Sequence, residues 1–117
     1  MSNPETLDDV RRQVLDNGNI ITIGMERLRN AHGAERLGEL VRANISRKLS
    51  SLGLSHFPIE LPGSQADVVR LYMQGSPVAN LIDAVLNPSP AHDEEIREAV
   101  QGNNSDTLDK IRELVCR

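Results

Sequence analysis

Aromatic side chains are nearly missing from this chain of 117 residues, which has one Phe, one Tyr and no Trp. That disfavours the nucleic-acid binders that stack unpaired bases on aromatic platforms. Cysteine occurs once, at Cys116, so no internal disulfide can form and a reducing, cytoplasmic setting is expected. No apolar run approaches the ~18 residues of a membrane span, and no charged-then-apolar leader opens the chain. Membrane spanning and secretion are therefore not expected. His32, His56, His92 and Cys116 carry the right atoms for zinc, but their separations match no ligand pattern. Gly33 and Gly38 form no phosphate-cradling loop, and no serine sits in a nucleophile elbow. Neither an enzyme, a metal nor a cofactor is expected.

What is present fits one globular domain over residues 1–117, with 38% hydrophobic and 26% charged residues. The net charge of −4 is unevenly spread. Residues 10–57 hold eight basic and four acidic side chains, a balance of +4, whereas residues 58–117 hold five basic and ten acidic ones. The basic half is where an electrostatic footprint for nucleic acid would have to lie.

Asn3-Pro4 reads as an N-cap followed by proline at the first helical position, opening a helix with Leu7, Val10, Val14 and Leu15 at apolar spacing. Asp16 to Asn19 stops it, and the β-branched run Ile20–Ile23 suits a short strand. A second helix is expected from Met25 to His32, ended by Gly33 as a left-handed cap. A third is expected over residues 34–52. Its apolar stripe is Ala34, Leu37, Val41, Ile45, Leu49 and Leu52, with Leu40 on the edge and Lys48 snorkelling from the apolar side. Helix, glycine turn and second helix form the outline of a helix-turn-helix.

Ser55–Ile59 suits a short edge strand, because Pro58 is excluded from a central one. In residues 68–73, Val69, Leu71 and Met73 alternate with Arg70 and Tyr72, as in a half-buried strand. A helix from Gln65 to Gln74 competes with it and would make the fold all-α. A helix from Pro77 to Leu86 with Val78, Leu81, Ile82 and Val85 on its apolar face, a polar one over residues 91–101 and a last one after Ser105 complete the chain.

This order, helix, strand, helix, turn, helix, strand, loop, strand over residues 4–74, resembles the winged helix-turn-helix superfamily. The resemblance implies an α+β, mainly helical fold: a winged-helix-like core at 4–74 and a helical C-terminal extension at 76–117. It also implies that the 34–52 helix is similar to a recognition helix and that the loop at 61–67 resembles a wing. Two features depart from that pattern. The third helix is long, and the wing has Glu60 and Asp67 at its flanks with only Arg70 following.

On the exposed face of the third helix, Arg36, Arg42, Ser46 and Arg47 are the candidate groove readers, since Arg pairs with guanine and Ser reaches bases or phosphate. Arg11, Arg12, Arg27 and Arg29 are candidate phosphate clamps. For both sets the competing interpretation is a solvated surface, with Glu39 pairing to Arg36 or Arg42 at helical spacing. Leu108, Ile111, Leu114 and Val115 suit either a homodimer seam through 105–116 or the monomer's own core. The function expected is duplex DNA binding by a regulatory or accessory protein. The alternative is a protein-interaction module whose contact surface is the acidic half at 58–117.

Overall fold

A computed structural model describes residues 4–101, in a chain that divides into two compact units, Met1–Val78 and Ala79–Arg117. Among the described residues the protein is α+β, with five helices and one three-stranded antiparallel sheet.

The first unit opens with α1 (Leu7–Asp16). Its N-cap is Thr6, where the Asn3-Pro4 reading had started the helix earlier; Asn3 itself lies outside the described residues. Thr6 Oγ1 accepts from the Asp9 amide at 3.3 Å, and the Asp9 carboxylate accepts from the Thr6 amide at 2.9 Å. This reciprocal box satisfies two amides that helix geometry leaves unpaired, a stronger start signal than proline alone. Leu7, Val10 and Val14 are buried as their spacing predicts, while Leu15 faces solvent.

Strand β1 (Ile20–Gly24) pairs with β3 (Val68–Met73), and β3 pairs with β2 (Leu54–Phe57), so the sheet order is β1-β3-β2. Ile21 stands opposite Leu71 and Ile23 opposite Val69, all four turned into the core. Residues 68–73 are therefore strand, as their β-branched content favours over the competing helix. Tyr72, expected on the wet face, is buried like Leu71 before it. The end of β3 is thus covered on both faces, which alternation alone cannot register. β2 is an edge strand that stops before Pro58 instead of running to Ile59.

Helix α2 (Met25–His32) has the expected bounds, and Gly33 ends it with φ +87°. That left-handed conformation is strained for any residue with a Cβ. Helix α3 (Glu39–Ser51) is shorter than the 34–52 helix expected. Ala34 and Leu37 share the spacing of the apolar stripe, but residues 34–37 form a connector. Gly38, which weakens a helix interior by about 1 kcal/mol, serves as the extended N-cap, and its carbonyl accepts the first helical bond from the Arg42 amide at 2.9 Å. The turn between α2 and α3 is therefore an open connector, not a single-glycine turn. Ile45 and Leu49 are fully buried and Leu37, Val41 and Leu52 lie against the same core. Lys48, expected to snorkel from the apolar side, is exposed.

In the second unit, described over residues 79–101, α4 (Pro77–Leu86) continues from the first. Ala79 and Ala84 are its buried residues, Val78, Leu81 and Ile82 are half-buried, and Val85 is 61% exposed. The expected face of Val78, Leu81, Ile82 and Val85 is thus displaced. Apolar residues run almost all round this helix, so spacing could not select one side. A further helix spans 90–101, with Ser89 Oγ accepting from the His92 amide at 3.0 Å. Ser105, the 105–116 seam and Cys116 lie outside the described residues. No helix among those described is long and apolar enough to cross a membrane.

Candidate nucleic-acid interface

Burial of Ile45 and Leu49 fixes how α3 is rotated. It turns Glu39, Leu40, Ala43, Arg47 and Ser50 outward. Beside this face runs the loop of residues 58–67 that joins β2 to β3. Leu61 anchors it in the core, and the Asp67 carbonyl accepts from the Met25 amide at 2.9 Å. The loop and α3 enclose an open groove of about 450 Å³, lined by Glu39, Arg42, Ala43, Ser46, Ile59, Glu60 and Leu61.

The eight candidate residues divide by what already holds them. Arg47 and Arg36 are exposed, Arg47 on the outer face of α3 and Arg36 on the connector before it. Neither makes an ion pair among the described residues, and neither pairs with Glu39. Arg12 is exposed on α1. Arg11 Nε donates to the Leu52 carbonyl at 2.9 Å, tying α1 to the C-terminal end of α3, where a cation also suits the helix dipole.

Arg42 is half-buried, and its Nη1 donates to the Leu61 carbonyl at 3.1 Å. A Cβ at Gly63 would stand 3.7 Å from that guanidinium, so the glycine lets the loop close onto the arginine. Arg29 Nη1 donates to Gln65 Oε1 at 2.7 Å, with Glu26 at 3.9 Å. Two of the expected DNA contacts therefore brace the loop against α2 and α3. Neither role was legible, because the partners lie 19 and 36 residues away in sequence.

Arg27 is committed to Glu5 by two parallel bonds, Nε to Oε1 at 2.8 Å and Nη2 to Oε2 at 2.7 Å, and also touches Gln13. The Arg27 hydrogen bond holds the Glu5 carboxyl below its ordinary range and pushes Arg27 up. A depressed carboxyl stabilises the fold above its unfolded pKa of about 4.3 and loses that contribution as pH falls through its folded value. Because the pair faces solvent, Glu5→Gln is expected to cost less than about 1 kcal/mol. Chemical melts at pH 7 and pH 3 check this. The difference between wild type and variant should be smaller at pH 3 than at pH 7, and a difference that does not shrink in acid would refute the pairing.

Ser46 is held from the side. His56 Nδ1 lies 2.8 Å from the Pro58 carbonyl, which can only accept, so Nδ1 carries the proton. Nε2 lies 2.7 Å from Ser46 Oγ, so the hydroxyl is engaged by the imidazole. A Ser–His contact of this kind also occurs in hydrolases, but Ser46 lies within α3, where neighbouring amides are consumed by the helix ladder and cannot stabilise an oxyanion.

Lys48, expected to snorkel from the apolar side, and Leu40, expected on the edge of the stripe, are both exposed on α3. Among the described residues no three His, Cys, Asp or Glu side chains gather as a metal site would need. No family model, curated protein or solved structure matches the chain.

Proposed function

We propose that this protein is a winged helix-turn-helix factor that binds duplex DNA in a regulatory or accessory role, with α3 entering the major groove. The observation that carries this reading is the outer face of α3: a free cation, Arg47, on a helix whose other side is locked into the core. Support also comes from the succession α1-β1-α2-α3-β2-β3 with sheet order β1-β3-β2, with the C-terminal helices as additions to that core. In this reading Arg47 faces bases, and Arg36, Lys48 and Arg12 approach phosphates. Arg29, Arg42 and Arg11 hold the loop and the helix end in place, and Arg27 stays with Glu5. The loop at 58–67 carries no basic residue, so it supplies a wall for α3 and no phosphate clamp.

Fluorescence anisotropy of a labelled random-sequence duplex across a salt series tests the proposal. Two or three neutralised phosphates give a log–log slope of roughly −2 to −3. Absence of binding at low salt would defeat it.

A second reading is favoured by one feature. Ile59 is 79% exposed at the rim of the groove beside Glu60, which suits a protein partner better than a phosphate backbone.

A further inference from the structure

Resting on the DNA reading above, we infer that α3 selects sites in which thymine lies beside guanine, by placing Leu40 and Ala43 on thymine methyl groups next to an Arg47–guanine pair. Helical spacing brings Leu40, Ala43 and Arg47 onto one outward arc. Leu40 is 72% exposed in the first turn of the helix, and Ala43 and Arg47 are exposed with it. The core explains none of the three, since Ile45 and Leu49 carry the packing on the opposite side.

The arc presents one cation and two apolar side chains, with Glu39 and Ser50 exposed at its border. Arg47 matches the paired acceptors O6 and N7 of guanine. The two apolar side chains match the one apolar feature of the major groove, the C5-methyl of thymine. Against a cytosine or adenine amino group, Leu40 would cover a donor without pairing it, and an uncompensated polar group is penalised. The arc thus both favours thymine and disfavours its competitors.

The test separates this inference from the reading it rests on. Duplexes enriched by the protein from a random pool are synthesised with thymine or with deoxyuridine, which lacks only the methyl. Wild type should bind the thymine duplex roughly fourfold more tightly for each methyl contacted, the value of one buried methyl group. In Leu40→Ser/Ala43→Ser that preference should fall to about onefold. Both positions are exposed, so the variant's circular dichroism and melting should match wild type. Equal binding of the two duplexes by wild type overturns the inference while leaving DNA binding intact. A preference undiminished in the double variant also overturns it. Failure to bind any duplex, or to enrich any sequence, removes the DNA reading or its sequence dependence, and the inference falls with it.

Discussion

Leu49→Ala is expected to destabilise the 1–78 unit by about 2–5 kcal/mol. Leu49 is fully buried within α3, in the cluster that also holds Ile45, Leu28 and Leu71. Truncation removes its transfer free energy and leaves a cavity that helices and sheet can close only in part. Domains of this size are stable by about 5–15 kcal/mol, so the loss is a large share of the total. Urea denaturation reads it as a lower midpoint with little change in slope. The consequence reaches the outer face, because Leu49 and Ile45 set the rotation of α3 and hence where Arg47 points. A cost below about 1 kcal/mol would mean that α3 does not rest on this core as described.

The second large effect concerns binding. Arg36→Ala combined with Arg47→Ala is expected to weaken retention of duplex DNA by at least about tenfold, since a bidentate base contact alone contributes about 1–3 kcal/mol. Both side chains are exposed and make no ion pair among the described residues, so the melting temperature should hardly move. The salt slope should become shallower by roughly one for the lost phosphate contact. Arg42→Ala makes a useful contrast. It removes the donor to the Leu61 carbonyl and should loosen the loop, so stability falls along with any loss of affinity. If the double arginine variant bound DNA as wild type does, the outer face of α3 would not be the interface.

Much of the fold was legible because local chemistry and tertiary packing agree there. Ile20–Ile23 is β-branched throughout and forms β1; Met25 to His32 is bracketed by Gly24 and Gly33 and forms α2. The start of α3 was misread because Ala34 and Leu37 keep the phase of Val41 and Ile45, so periodicity ran through the connector to Gly33. Gly38 was the signal against it, as a residue that suits an N-cap better than a helix interior. Leu61 opens the loop at 61–67, as Pro62-Gly63 signals, yet its side chain is buried in the core. Nothing within a few residues of it records that.

The candidate site was less legible than the fold, for a physical reason. A cation's role depends on what lies opposite it, and for Arg27, Arg29 and Arg11 those partners are 22, 36 and 41 residues distant. Composition can count arginines but cannot distinguish the braces from the free ones. Arg47 has no acid three or four residues away along α3, so its exposure agrees with local spacing, whereas Arg36 escapes Glu39 only because residues 34–37 are not helical.

The most direct test of α3 as the DNA-binding element is an NMR titration of the isotopically labelled protein with an unlabelled random-sequence duplex. The account predicts that amide shifts concentrate in residues 39–51 and at Arg36, with small changes along the 58–67 loop. Shifts confined to residues beyond 78, or to the loop around Ile59 without α3, would contradict it.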